Sequence, residues 1–130
     1  MASIFTRIVR REIPAHIVAE NEDYLAFLDI MPLAKGHTLV IPKIEVDYIF
    51  DLDDPILAGL HIFSKNVAAA IKKATRCKRV GVAVLGLEVP HAHIHLVPMN
   101  AMNDMNFANV KLKLSDIELS VIAEKIRSSF

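Results

Sequence analysis

One cysteine, no tryptophan, four glycines and no surplus of either charge leave this 130-residue chain with few special devices. The lone Cys77 excludes an intramolecular disulfide and fits a reducing cytosol; it reads as an incidental thiol after a helix. Basic and acidic residues number 15 each, which removes the electrostatic footprint of a duplex nucleic-acid binder or of a protein drawn to an anionic membrane. No apolar run approaches the roughly 20 residues of a membrane span. The N-terminus lacks the apolar core of a signal peptide, so a cytoplasmic location is expected. Repeats and low-complexity segments are missing too. What is plentiful is apolar character, at 53% of the residues. That implies one domain over residues 1–130, with either a complete core or an apolar face shared with a second copy.

Against this plain background, histidine stands out. His91, His93 and His95 occupy every second residue of Val89-Pro-His-Ala-His-Ile-His-Leu-Val-Pro98, with Ala92, Ile94 and Leu96 between them. Period-two alternation reads as a strand with three imidazoles on one face and an apolar row on the other. Buried polar rings are costly unless hydrogen-bonded, so three in strict register point to a site. Alternate residues of a strand lie about 6.7 Å apart, and the outer two histidines therefore about 13 Å. With zinc–nitrogen bonds of about 2.0–2.1 Å, one ion could take two neighbours but hardly all three. A phosphate-sized substrate laid along the strand could meet all three, which favours group transfer over metal binding.

The remaining pattern predicts an α+β domain. A short helix is expected over Ile4–Arg11, and a hairpin from His16–Glu20 and Tyr24–Ile30 around Asn21-Glu-Asp23. A strand follows over His37–Pro42. Asp53-Asp54-Pro55 caps a long helix whose apolar stripe runs Ile56, Leu60, Phe63, Val67, Ile71, Ala74. Arg79–Leu85 is a further strand, and Met99–Asn109 a loop. Ser115-Asp-Ile-Glu118 is a capping box for a C-terminal helix, with a buried stripe of Leu119, Ile122, Ile126 and Phe130.

His91-Ala-His93-Ile-His95-Leu-Val resembles the motif of the histidine triad (HIT) family of nucleotide hydrolases and transferases. Three further blocks resemble that family in the same order: Ser3 to Ala15, Tyr24 to Ile30, and Gly36 to Lys43. Together the blocks span residues 3–98. The resemblance implies an antiparallel five-stranded sheet with one long helix and short N- and C-terminal helices, and a homodimer. It also implies a substrate: a purine nucleotide or nucleoside phosphoramidate, split by a hydrolase or phosphoramidase with no cofactor. His93 would be the nucleophile, forming a nucleotidyl-histidine that water hydrolyses. His91 and His95 would flank it, and His37 falls on a position of the catalytic cluster. Asp29 matches the acceptor of ribose hydroxyls. Ile4, Phe5, Ile8, Phe27 and Ile30 match the apolar slot for the base.

Two departures from the family pattern stand out. Many bacterial members hold a structural zinc where this chain has Ser3, Thr6, Glu45 and His91, so three of four ligands are gone and no metal is expected. The segment before the triad, Val84-Leu-Gly-Leu-Glu-Val-Pro90, lacks the polar side chains of well-known members. Only Gly86 and the backbone N–H of Val89 are left to meet a phosphate. Glu88, by strand parity with Pro90 and Ala92, is expected to turn away from the histidine face into a hydrogen bond or ion pair; the alternative is that it sits in the site with a raised pKa and donates a proton to the leaving group. Two other readings follow from the same residues: a nucleotide-binding scaffold with weak catalysis, and a metal-binding histidine strand.

Overall fold

The computed structural model describes residues 1–130. Its elements are α1 (Ile4–Val9), β1 (Ile17–Glu20), β2 (Tyr24–Leu28), β3 (Thr38–Pro42), α2 (Asp54–Thr75), β4 (Arg79–Ala83), β5 (Ile94–Met99) and α3 (Asp116–Arg127). Short 3-10 turns lie at Ile49–Asp51 and Met102–Met105. The strands form one antiparallel sheet in the order β1-β2-β3-β5-β4. This is the α+β architecture expected.

Local chemistry explains the helix starts. The Asp53 side chain accepts the Ile56 N–H at 3.1 Å, with Pro55 in the first turn where a missing N–H costs nothing. Ser115 and Glu118 close a reciprocal box at the head of α3.

The sheet has two covered faces. On one, α2 and α3 bury Leu60, Val67 and Ile71 against Val40, Ile94 and Leu96. Gly59 allows Tyr24 to pass close to α2, where its hydroxyl donates to the Ile56 carbonyl at 2.9 Å; a Cβ at 59 would meet the phenol ring. On the other face, α1 lays Phe5 and Ile8 on Leu25, Phe27, Leu39 and Ile41. With both faces covered, β2 and β3 are buried at every residue.

Several boundaries differ from the sequence reading. The α3 stripe is Leu119, Ala123 and Ile126, with Ile122 half-buried and Phe130 exposed beyond the helix end. The long helix buries Ser64 and Ala70 in addition to Leu60, Val67, Ile71 and Ala74, while Ile56 and Phe63 sit at its margin. The largest difference is at the triad. β5 begins only at Ile94, because the His91 N–H turns back to the Val89 carbonyl at 2.8 Å and the Ala92 N–H goes to Val46 at 2.7 Å. His91 and His93 therefore sit in an irregular approach to the strand, and only His95 lies in the ladder.

Candidate active site

The imidazoles converge under α1, and their partners fix which nitrogen carries each proton. The His93 Nδ1 lies 2.7 Å from the His91 carbonyl, an acceptor, so Nδ1 holds the hydrogen. Its Nε2 has no protein partner. Since every buried side-chain nitrogen and oxygen in the protein is hydrogen-bonded, that unpaired Nε2 opens to solvent. The Phe5 ring stands edge-on to His93, with centroids 5.0 Å apart.

A second chain of bonds sets His95. The Leu33 N–H donates to His37 Nδ1 at 3.0 Å, so His37 carries its hydrogen on Nε2. That Nε2–H donates to His95 Nδ1 at 3.0 Å, which leaves the His95 proton on Nε2, the nitrogen without a protein partner. Burial keeps both rings neutral: His37 is pushed down to about 3 and His95 to about 4. The pair thus presents an N–H donor on the ring next to His93, the His93 and His95 centroids being 5.0 Å apart.

His91 offers neither. Its Nε2–H donates to the Pro42 carbonyl at 2.8 Å and its Nδ1 accepts from the Ser3 hydroxyl at 2.9 Å. Burial lowers its pKa, partly opposed by Pro42 and Glu45. Both nitrogens being engaged, His91 meets no ligand through its ring and instead aims its carbonyl at His93. Of the three rings expected to face one ligand, only His93 and His95 keep a nitrogen without a protein partner, and His91 serves through its carbonyl.

Ser3, Thr6, Glu45 and His91 do come together, as one hydrogen-bonded knot. One Glu45 oxygen accepts the Ser3 N–H at 2.7 Å and the Thr6 hydroxyl at 2.6 Å. These bonds hold the Glu45 carboxyl down at about 2. Two hydroxyls, a carboxylate and one imidazole already satisfied by each other do not fit the thiolate and imidazole set of a closed zinc tetrahedron. The purified protein should contain no stoichiometric zinc by elemental analysis and keep its melting temperature in EDTA. One equivalent of zinc surviving dialysis would overturn this.

Asp29 follows β2 directly, with one oxygen accepting the Met31 N–H at 2.9 Å, a turn cap, and the other 3.7 Å from His37 Nε2. Burial raises its pKa, against the pull of the Met31 bond and of His93 and Lys111. Asp29, His37 and His95 bring their ligand atoms within 4.8 Å of one another. The direct imidazole–imidazole bond already satisfies both rings without a cation.

Of the five residues expected to line a slot for the base, Phe5, Ile8 and Phe27 are buried together, and Ile4 and Ile30 are exposed. Gly86 has φ +76°, a conformation glycine adopts freely, and a Cβ there would meet nothing, so its value is backbone freedom. Val89 is half-buried and packs against the α1 cluster. Glu88 is exposed and makes no ion pair or hydrogen bond, since the strand whose parity placed it does not reach back that far.

Sequence reasoning missed Phe107, whose ring stands edge-on to His95 at 4.9 Å and His37 at 6.2 Å. It also missed Lys111, whose charge reaches Asp29 and His37 and whose ammonium is held by the Phe107 and Asn109 carbonyls. Phe107 lies inside the stretch without periodicity and Lys111 just after it, so no sequence signal marks them.

The HIT domain family model matches residues 10–102. The chain is 32% identical to the adenosine 5'-monophosphoramidase of Schizosaccharomyces pombe, over 98% of each chain. It is 37% identical to that of Saccharomyces cerevisiae, over 75% of this chain and 62% of the relative. The crystal structure of a Hit-like protein of Bartonella henselae superposes with a TM-score of 0.85 at 33% identity, covering 98% of this chain and 96% of the other. Fold, triad and relatives agree: the chain belongs to the HIT domain family.

Proposed function

We propose that the protein is a nucleoside phosphoramidase. On this reading it cleaves an adenosine monophosphate unit from an amine, acyl or phosphate leaving group through a nucleotidyl-His93 intermediate. One observation carries the reading: His93 is held by a backbone carbonyl at Nδ1, with a bare Nε2 open to solvent, and the next ring, His95, carries a protonated Nε2. A neutral imidazole so held is a nucleophile at neutral pH. Its lone pair attacks phosphorus and the P–N bond of an amide substrate breaks. The departing nitrogen leaves as an amine with a proton drawn from water. His95 Nε2–H donates to a phosphoryl oxygen as charge builds there. Water then displaces His93, releasing the nucleoside monophosphate and restoring the lone pair. The two yeast relatives, named for the adenosine phosphoramidate reaction, support the substrate class.

Phe5, Ile8 and Phe27, with Ile4 and Ile30 at the rim, would hold the base, Asp29 the ribose, and the N–H groups of Gly86 and Val89 the phosphate. Incubation with adenosine 5'-phosphoramidate should release AMP and ammonia and leave a transient adenylyl adduct on His93, seen by mass spectrometry after an alkaline denaturing quench, because the histidine–phosphorus bond is labile in acid. No release at micromolar enzyme would defeat the proposal. The scaffold reading draws on the bare loop, where Val84, Leu85 and Leu87 supply no polar side chain to a phosphate. It predicts AMP binding without release.

The protein is further read as a homodimer. β4 is an outer strand with an unpaired edge, its Val82 is exposed, and Ile62 on α2 is exposed as well. Light scattering at micromolar concentration should give about twice the 14.5 kDa of one chain. A monomer would contradict it.

A further inference from the structure

We propose that Phe107 is a positioning residue for the reaction: its ring holds His95 so that Nε2–H, and not a ring carbon, faces the phosphoryl oxygen. The inference rests on the phosphoramidase reading and deepens it. The need for such a device lies in how His95 is bonded. Its ring is hydrogen-bonded at one point, where Nδ1 accepts from His37 Nε2–H at 3.0 Å, and its own Nε2 has no protein partner. Rotation about the Cβ–Cγ bond of a histidine is soft and roughly two-fold. A half-turn would put Cδ2 where Nδ1 stood and Cε1 where Nε2–H stood. A C–H would then meet the phosphate, and the buried N–H of His37 would lose its acceptor.

Phe107 stands in the way of that turn. Its ring lies edge-on to His95, 78° between planes and 4.9 Å between centroids, and 6.2 Å from His37 at 84°. Such T-shaped contacts are directional as well as apolar. Phe107 belongs to neither apolar cluster of the core, so these two imidazoles, rather than aliphatic side chains, are what its ring covers. The pair behind it is nearly shut off from water, His37 at 1% exposure and His95 at 9%. The segment that carries the ring has neither helix nor strand, and ordering it costs entropy. Its own side chains hold it. The Asn109 amide donates to the Asn103 carbonyl at 2.8 Å, and the Asn106 side chain accepts the Ala108 N–H at 2.9 Å. The Lys111 ammonium donates to the carbonyls of Phe107 and Asn109. The Leu112 N–H then donates to the Pro32 carbonyl at 2.8 Å, one residue before the Leu33 N–H that fixes the His37 tautomer. The segment and the connector after β2 thus grip the imidazole pair together.

The test reads kcat against KM for adenosine 5'-phosphoramidate. Phe107→Ala should lower kcat by roughly tenfold or more and leave KM within about threefold, because the donor it misaligns acts in the transition state. Should that variant fail to fold, Asn109→Ala, which loosens the segment away from the site, carries the same comparison with a several-fold loss of kcat expected. In a His95→Asn background, Phe107→Ala should cost less than about twofold more, since the ring it positions is gone. A further readout needs no substrate. The His37 imidazole N–H, shared with His95, should exchange with water roughly tenfold faster in Phe107→Ala than in wild type by NMR. A kcat within about twofold of wild type, a loss confined to KM, the full loss repeated in the His95→Asn background, or an N–H equally protected in the variant would each overturn the assignment and leave the phosphoramidase reading standing. A wild-type protein that cleaves no phosphoramidate would overturn that reading, and the exchange rate would still decide whether Phe107 holds the pair.

Discussion

His93→Ala should reduce turnover of an adenosine phosphoramidate by at least a thousandfold while the variant still binds AMP. The only unpaired imidazole nitrogen with a lone pair in this site is His93 Nε2. His95 and His37 direct protons rather than lone pairs at their free or shared nitrogens, and His91 has both nitrogens engaged. Without His93 no covalent route exists, and losing one typically raises the barrier by on the order of 4 kcal/mol or more, about a thousandfold. Binding should persist because the proposed base and ribose contacts, at Phe5, Phe27 and Asp29, are untouched. AMP should therefore still raise the melting temperature. The substitution removes one edge-on partner of Phe5, at 5.0 Å, a modest loss of packing. Glu88→Gln is the control. Glu88 is exposed and bonded to nothing, so the rate should hold between pH 6 and 8. Activity of His93→Ala within tenfold of wild type would sink the nucleophile assignment. Loss of a basic limb in the Glu88→Gln profile would identify that carboxyl as the acid for the leaving group.

What the sequence reveals divides along a physical line. Features settled by a few neighbouring residues were legible: the Asp53 and Ser115 caps, the Asn21 turn, and the alternation that set His93 and His95 with Leu39 on one face and Ile94 with Leu96 on the other. Features made by distant backbone were not. The start of β5 depends on where Val46 and Pro42 present their carbonyls, across 46 and 49 residues of chain for the bonds from Ala92 and His91. Glu45 could be read only as a missing zinc ligand. Its bonds to Ser3 and Thr6 show a polar knot built from the same positions, which pins α1 and, through His91, the carbonyl behind His93. Phe107 and Lys111 reach the site because the chain doubles back after β5, a course no local pattern encodes.

The second large effect is acid lability. His37 and His95 are buried, face each other at 3.0 Å, and are covered by the Phe107 ring. Lys111 adds like charge that disfavours a proton on His37, and the half-exposed Asp29 at 3.7 Å is the one carboxylate nearby. Their folded values of about 3 and about 4 lie well below the ordinary 6.5. Above pH 6.5 both states hold neutral rings and stability does not depend on these groups. As pH falls below 6.5 the unfolded chain takes up two protons that the folded chain refuses, so stability drops, until pH 4 for His95 and pH 3 for His37. Each ring costs about 1.4 kcal/mol per pH unit over its window, or near 3 kcal/mol per unit together. Against a typical folding free energy of about 5–15 kcal/mol, two units remove a large share of the stability. Asp29 works the other way: its raised pKa gives stability at acid pH that is lost as pH rises through the folded value, a partial offset confined to pH near and above 3.8. Glu45, held at about 2, stabilises above its ordinary 4.5 and loses that contribution only at the bottom of the range. Calorimetric melting temperatures at fixed ionic strength should therefore be level from pH 8 to 7 and fall steeply from pH 6 to 4. The double variant His37→Asn, His95→Asn should melt lower at pH 7 and show a flatter decline, because two of the three buried rings that force the proton imbalance are gone and only His91 is left. A wild-type melting temperature that stays level from pH 7 to 4.5 would mean that the pair accepts a proton in place, and the neutral donor role given to His95 would fall with it.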